Sequence, residues 1–305
     1  MQMTKQKTGK RFSIPRDKQG FLYVLPWLIG FLILQLYPFI TSLYYSFCDY
    51  SIMSEVKFIG FDNYIKLFTR DREFWPAMMA TLRFTVMTVP GKLALALIVA
   101  LLMNQKIRGI NLIRTVYYIP SLFGGSVAVC ALWKLMFNDK GIVNSFLHSL
   151  GIPTLSWLGS PDIAMTTICL MEIWQFGSSM ILFLAALKNV PQHLYEAAEI
   201  DGAGKIRTFF NITIPQISPI ILFNLLMQLI QALQNFTSAM VITGGGPVKS
   251  TYVLGLKLYK DGFSNYKMGY ASATSWIIFT VILAATLLLM RSSSAWVHYD
   301  DNGGN

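Results

Sequence analysis

Charged and metal-binding side chains are scarce in this chain of 305 residues. Only 13% of the residues are charged, and there are three cysteines and three histidines. The histidines are scattered, and the cysteines show neither the spacing of a metal site nor a pairing pattern. We therefore expect no metal site, and we assign the cysteines no chemistry.

Motifs for nucleotide binding and for hydrolysis are missing as well. Residues 246–250 superficially resemble a phosphate-binding loop, but Val248 stands where that motif requires a glycine. The sequence has neither the H-E-x-x-H pattern of zinc peptidases nor the G-x-S-x-G pattern of serine hydrolases. We therefore expect no catalytic residue and no cofactor, and we predict that the chain is not an enzyme.

Apolar residues make up 54% of the chain, which is too many for a soluble domain of ordinary composition. The formal net charge of +10 does not indicate nucleic-acid binding, because the basic residues gather at the N-terminus and between the apolar runs. The composition therefore predicts a protein surrounded by membrane lipid.

Six apolar runs are long enough to cross a bilayer as helices. Their approximate limits are residues 21–48, 84–103, 115–137, 163–187, 217–242 and 268–290. We therefore predict an all-α polytopic membrane protein with six transmembrane helices. Lys92 falls near the start of the second run, from where its side chain is expected to reach the outer interface.

The basic residues also predict the orientation of the chain. Residues 1–20 carry six Lys or Arg against one acid, and residues 105–115 carry three against none. Such segments stay in the cytoplasm, so we predict cytoplasmic tails at residues 1–20 and 291–305. Residues 248–267 disagree, because they hold four lysines against one acid and are predicted to lie outside. We let the early segments decide, since early spans usually dominate orientation.

A polar segment at residues 191–215 interrupts the apolar runs. It contains the string Glu196-Ala-Ala-Glu-Ile-Asp201-Gly202-Ala-Gly204, in which small residues alternate with charged ones. This pattern predicts a short exposed helix followed by a glycine turn, where the backbone of a partner can approach closely. The segment therefore has the character of a docking element.

The same segment resembles a known family. Its pattern E-A-A-x-x-D-G-A, followed by F-x-x-I-x-[LI]-P, is similar to the loop that marks the membrane subunits of binding-protein-dependent ABC importers, particularly maltose-type sugar permeases. The F-x-G-x-x-N-Y string at residues 58–64 and the T-G-G-G-P string at residues 243–247 resemble the same permeases. The resemblance implies a type I ABC importer permease fold over residues 21–290.

That resemblance also implies a function and a set of partners. It implies a subunit of the bacterial cytoplasmic membrane that moves a carbohydrate, an oligosaccharide in particular, by alternating access. The implied partners are a second permease, an ATPase dimer that binds ATP and Mg, and an extracytoplasmic solute-binding protein. It places the coupling helix in a cleft of the ATPase, with contacts from Glu196, Ala197, Ala198, Asp201, Gly202, Ala203 and Phe209.

Polar residues inside the predicted spans mark the candidate substrate path. Four amides of the fifth span are spaced i, i+4, i+7 and i+11, which places them along one side of a helix. They either bind sugar hydroxyls or bond neighbouring helices. Glu172 likewise has two interpretations, a place on the path or an internal ion pair. Together with positions that the resemblance adds, the candidates are Glu172, Trp174, Gln175, Ser179, Asn224, Gln228, Gln231 and Asn235.

A transporter driven by an ion gradient is the alternative function. It would show a paired internal repeat and several ionisable residues near the bilayer centre. The sequence shows no second copy of any motif, and Glu172 is the only acid well inside a predicted helix.

Overall fold

The computed structural model describes residues 16–52, 54–105 and 108–298, and most of these residues are helical. The predicted tails fall largely outside the described residues, which omit 1–15 and 299–305. Helix α1 (Arg16–Phe31) continues through a π-helical turn (Leu32–Leu36) into α2 (Tyr37–Ser46). A two-stranded antiparallel ribbon, β1 (Cys48–Asp49) and β2 (Lys57–Phe58), follows.

The remaining elements are helical, and three of them are π-helical turns. They are α3 (Asp62–Thr69), α4 (Phe74–Met103), α5 (Ile110–Leu122), α6 (Val127–Met136), α7 (Ile142–Ser149), α8 (Pro161–Trp174), α9 (Gly177–Asn189), α10 (Gln192–Ile200), α11 (Lys205–Thr208), a π turn (Phe209–Thr213), α12 (Ile214–Leu233), a π turn (Ala239–Thr243), α13 (Leu254–Tyr259), a π turn (Lys260–Ser264) and α14 (Met268–Ser293).

The predicted all-α membrane architecture is confirmed. Within the described residues, four continuous apolar helices are long enough to cross a membrane: Tyr23–Ser46, Phe74–Met103, Lys205–Leu233 and Met268–Ser293. Two bent pairs, α5 with α6 and α8 with α9, pass the same test as pairs. Counting each pair as one span gives the six predicted spans.

Two predicted spans are displaced along the chain. The second begins at Phe74 rather than near residue 84, because Arg83 is exposed on the side of α4 instead of marking its end. Lys92 therefore lies near the middle of α4 and is only 8% exposed, so its predicted place at the outer interface is wrong. The fifth span runs over Lys205–Leu233 rather than residues 217–242.

Helix α4 is the centre of the bundle and packs against α8, α9 and α12. Its alanines at positions 77, 96 and 100 are completely buried, which lets neighbouring backbones approach closely. One core cluster includes Phe84 in the first half of α4 and Met165 of α8. The other packs around the second half of α4 and includes Phe183 of α9 and Ile217 of α12. The long helix therefore connects both halves of the core.

Two spans are broken near each other. Helices α5 and α6 meet at a bend of 100°, where Gly125 adopts a φ of +71°. Helices α8 and α9 meet at a bend of 45° around Gln175. A Cβ atom added to Gly124 would lie 3.1 Å from Oε1 of Gln175, so the two breaks are in contact. Gly177 fixes this approach, since an added Cβ there would lie 2.6 Å from the carbonyl oxygen of Tyr117.

A buried ion-pair cluster joins the loop before α4 to α13 and to the π turn that follows α13. The Nζ atom of Lys257 lies 2.6 Å from Asp71 and 2.9 Å from Asp261, and its side chain is only 2% exposed. The hydroxyl of Tyr270 donates to Asp71 as well. Burial alone would raise the pKa of Asp71. Hydrogen bonds, first those from Lys257 and Tyr270, outweigh this effect and lower the pKa overall. Burial opposes the charge of Lys257 too, yet its two carboxylate partners raise its pKa overall.

Candidate functional site

A cavity of about 500 Å³ lies where the two helix breaks meet the end of α12. Its walls carry amide and hydroxyl groups together with one cation and one acid. The lining residues are Lys92, Ser121, Gly124, Gly125, Glu172, Gln175, Ser178, Gln228, Gln231, Gln234, Asn235, Phe236, Thr237 and Ser238. Such a surface offers several hydrogen-bond donors and acceptors to a polyhydroxylated ligand.

The structure brings five of the eight predicted path residues together in this cavity. These five are Glu172, Gln175, Gln228, Gln231 and Asn235. Ser179 is buried behind the wall and accepts a hydrogen bond of 3.3 Å from Nε2 of Gln228. Asn224 is buried as well and donates to the carbonyl of Ile220 at 3.2 Å. Asn224 and Ser179 therefore support the wall without lining it.

Trp174 lies away from the cavity. It is 43% exposed, and its ring packs against Trp133 with a centroid separation of 5.9 Å. It lines a separate apolar pocket with residues of α5, including Tyr117 and Pro120. The bend after Trp174 turns Gln175 toward the cavity and Trp174 away from it.

The predicted stripe of four amides on one helix is wrong at its last member. Helix α12 ends at Leu233, so Asn235 lies beyond it. The Oδ1 atom of Asn235 accepts a hydrogen bond of 2.7 Å from the hydroxyl of Ser238. Local side-chain bonds of this kind compete with helix continuation. Asn235 nevertheless lines the cavity, as do the residues on either side of it that follow α12.

Sequence reasoning missed several lining residues, of which Lys92 is the most informative. An ionisable residue inside an apolar run is a functional candidate by default, and that signal was present in the sequence. Lys92 on α4 and Glu172 on α8 line the same cavity and attract each other electrostatically. Within the described part of the chain, however, the two make no ion pair of 4.0 Å or less.

Gln175 is an unpaired donor at the cavity wall. Its side chain is only 4% exposed, and its Nε2 atom is buried without a hydrogen-bond partner. Leaving such a donor unpaired costs about 1–3 kcal/mol. Among the described residues, no group of three or more His, Cys, Asp or Glu side chains could hold a metal ion.

The predicted coupling loop forms a second exposed site. Helix α10 is followed by Gly202, which has a φ of +69° and open space around the position of a Cβ atom. Glu196, Ala197 and Asp201 are exposed with it. Three of the predicted contact residues turn inward instead: Ala198 is buried, and Ala203 and Phe209 are partly buried.

Exposed apolar side chains flank this glycine turn. Ile200 is 87% exposed and Ile206 is 77% exposed, one on each side of Gly202. The family pattern specifies neither position, so the resemblance does not predict a contact by either isoleucine. A hydroxyl pair of 3.1 Å between Tyr195 and Thr213 ties α10 to the start of α12. The loop is therefore held to the start of α12 and exposes apolar side chains on its surface.

The predicted coupling loop and the ion-pair cluster lie at opposite ends of α4. Leu101 and Asn104, at the C-terminal end of α4, share a pocket with Glu199 and Lys205 of the loop. Asp71 precedes the first residue of α4. A helix of this length extends about 45 Å, which is the thickness of a bilayer with its headgroups.

Comparison with known proteins identifies the family. The family described as "Binding-protein-dependent transport system inner membrane component" matches residues 92–298, which is more than half of the chain. The probable ABC transporter permease protein YesP of Bacillus subtilis is 40% identical over 95% of this chain and 96% of its own length. The sulfoquinovosyl glycerol transport system permease protein SmoG of Agrobacterium fabrum is 36% identical over 88% of each chain.

Similarity extends to an archaeal relative and to a solved structure. The trehalose/maltose transport system permease protein MalF of Thermococcus litoralis is 32% identical over 90% of this chain and 93% of its own length. A chain of a bacterial alginate ABC transporter, solved with an alginate pentasaccharide-bound periplasmic protein, superposes with a TM-score of 0.80. The two chains are 25% identical, and the match covers 91% of this chain and 94% of the other. The protein therefore belongs to the inner membrane components of binding-protein-dependent transport systems, and its relatives are permease proteins of ABC transporters.

Proposed function

We propose that this permease subunit moves a carbohydrate, an oligosaccharide in particular, across the cytoplasmic membrane. The observation that carries the proposal is the cavity of about 500 Å³ with its amide and hydroxyl lining at two broken helices. Amides suit sugar hydroxyls because each offers a donor and an acceptor. Irregular backbone at membrane depth is tolerated where it lines a cavity, and transporters bind their substrates at such breaks.

Relatives support a carbohydrate as the cargo. Two similar permeases are named for the transport of trehalose or maltose and of sulfoquinovosyl glycerol. Transport driven by an ion gradient is not favoured, because the relatives are permease proteins of ABC transporters.

ATP hydrolysis belongs, in this proposal, to a separate ATPase dimer that binds ATP and Mg and docks on the coupling loop. A solute-binding protein delivers the sugar at the other side of the membrane, and hydrolysis drives alternating access. A second permease completes the path. The most apolar stretch of the first span (Tyr23–Ser46) is not buried within this chain, which leaves its surface to that permease and to lipid.

Orientation can be tested by thiol labelling in intact cells. We propose that both termini lie in the cytoplasm, so Ser54→Cys should react with a membrane-impermeant maleimide and Gln105→Cys should not. Both positions are exposed. The native cysteines 48, 130 and 169 are buried and would first be replaced by Ala. Labelling of Gln105→Cys from outside would invert the proposed topology.

Gln228→Leu tests the proposed path. The change keeps a side chain of similar size but removes the amide that lines the cavity and bonds Ser179. We expect uptake by the assembled importer in proteoliposomes to fall at least about tenfold, as loss of roughly 1.5 kcal/mol of binding would give. The assay would use a panel of labelled neutral and acidic di- and trisaccharides.

The matched control is Met227→Leu, one residue away on α12 and 43% exposed. It should leave both uptake and complex assembly unchanged. Assembly of the Gln228→Leu complex, measured by co-purification of its subunits, should persist. A parallel loss of uptake and assembly would show that Gln228 holds helices together instead of serving the path.

A further inference from the structure

Lys92 is a buried cation inside the proposed substrate path. Its side chain is only 8% exposed, and it lies near the middle of α4, a helix that spans the bilayer. Its burial is incomplete because it lines the cavity. An ammonium group at this depth is costly, so its retention calls for an acceptor that stabilises it.

The chain contains a second buried lysine that shows how such a group is paired within the protein. Lys257 has two carboxylates within 2.9 Å of its Nζ atom. Among the described residues, Lys92 makes no ion pair of 4.0 Å or less with an acid, and Glu172, which lines the same cavity, attracts it electrostatically. Because Lys92 lines the cavity, a ligand held there can contact its side chain.

The neighbouring groups favour a sugar that also carries an anion. Gln175 lines the cavity and has a buried, unpaired Nε2 donor, and Gln228, Gln231 and Asn235 add neutral amides to the cavity wall. These amides suit hydroxyl groups, whereas the ammonium suits a carboxylate or another oxyanion. Glu172 can accept from hydroxyl groups, because a carboxylate has several acceptor positions.

We propose that Lys92 is the specificity-determining residue of the path and that it binds the acidic group of an anionic carbohydrate. This inference rests on the proposed carbohydrate transport and narrows its substrate class. Lys92 binds the oxyanion, while Gln175 and the amides of α12 bind hydroxyl groups of the same molecule. Glu172 attracts the ammonium when the cavity holds no anion, but it forms no ion pair with it.

The test is direct ligand binding to the membrane complex in nanodiscs, without the solute-binding protein, so that the selectivity of that protein does not enter. The complex contains both permeases and the ATPase pair. The probes are a uronate trisaccharide, a sulfated trisaccharide and a sugar phosphate, each paired with its neutral counterpart. We expect tighter binding of at least one acidic probe, and Lys92→Gln should weaken that binding about tenfold to a hundredfold while sparing the neutral counterpart.

Two further variants separate this role from a structural ion pair. Lys134→Gln removes an exposed lysine of α6 outside the cavity and should leave binding unchanged. Glu172→Gln should keep the preference for the acidic probe. If Lys92 only neutralised Glu172, the double variant Lys92→Gln with Glu172→Gln would regain the acidic preference, and the proposal would be wrong.

The remaining outcomes are also decisive. Equal binding of acidic and neutral probes, or an acidic preference that survives Lys92→Gln, would overturn the inference and leave carbohydrate transport standing. Binding of no sugar at all would count against the proposed function as well.

Discussion

A Gly202→Trp variant will insert into the membrane and fold, but it will not retain the ATPase. Gly202 adopts a φ of +69°, and nothing lies within 4 Å of the position of an added Cβ atom. The left-handed conformation costs a bulky residue about 1–2 kcal/mol locally, which a six-span bundle can absorb. The indole ring then projects into the space that we assign to the ATPase cleft, between the exposed side chains of Ile200 and Ile206.

Co-purification of the ATPase with the tagged permease measures this effect, and sugar-stimulated ATP hydrolysis provides a second readout. The matched control is Gly60→Trp. Gly60 also has a left-handed backbone, with a φ of +60°, and open space around it, but it lies before α3 at the far end of the bundle. The Gly60→Trp substitution therefore imposes the same local backbone strain at a position outside the coupling loop. Normal ATPase retention by Gly202→Trp would refute the docking role.

Lys257→Met will destabilise the permease strongly. The change keeps the apolar stem but leaves the carboxylates of Asp71 and Asp261 buried without their cation. Removing one partner of a buried ion pair typically costs about 3–5 kcal/mol. We expect a clear drop in the thermal unfolding midpoint of the detergent-solubilised complex. Lys249→Met is the control, because the Lys249–Glu73 pair has side chains 54% and 41% exposed and such pairs contribute about 0–1 kcal/mol.

The pH dependence of this cluster has a defined sign. The pKa of Asp71 is lowered, so its contribution to stability is complete above about pH 4, the ordinary aspartate value, and is lost as the pH falls through the lower folded-state value. The pKa of Lys257 is raised, so its contribution is complete below about pH 10.4 and is lost as the pH rises through the higher folded-state value. In the wild type, the cluster therefore contributes a constant stability between these limits.

Lys257→Met should change that profile. Without the cation, burial acts to raise the pKa of Asp71. The destabilisation should therefore shrink as the pH is lowered into the acidic range, because protonation of Asp71 then relieves the unpaired charge. A deficit that is independent of pH would show that lost packing, not charge, causes it.

The sequence was sufficient for the membrane class and, with each bent pair counted as one span, for the number of spans. Both follow from the length and polarity of the apolar runs. The depth of a residue is less accessible. The predicted second span begins directly after Arg83, but Arg83 is exposed on the side of α4, which begins nine residues earlier. The prediction therefore places Lys92 at the interface, whereas it lines the cavity.

The breaks in the helices explain the other errors at the candidate site. Helical spacing assumes an unbroken helix, so it placed Asn235 on the same face as Gln228, whereas α12 ends between them. Trp174 and Gln175 are adjacent in the chain but point to different pockets, because the bend of 45° lies between α8 and α9. Such bends depend on tertiary contacts, such as the close approach of Gly177 to α5, that no local pattern records.

The two bends have a consequence for hydration. A broken helix frees backbone N–H and C=O groups, and within a bilayer these groups persist only where protein or water satisfies them. A polar cavity of about 500 Å³ has room for on the order of ten to twenty water molecules. Under the proposed function, a sugar that enters displaces this water and exchanges part of its own hydration shell for hydrogen bonds to the amides of the wall. Water in the cavity therefore serves the free backbone groups at the bends as long as no cargo occupies the space.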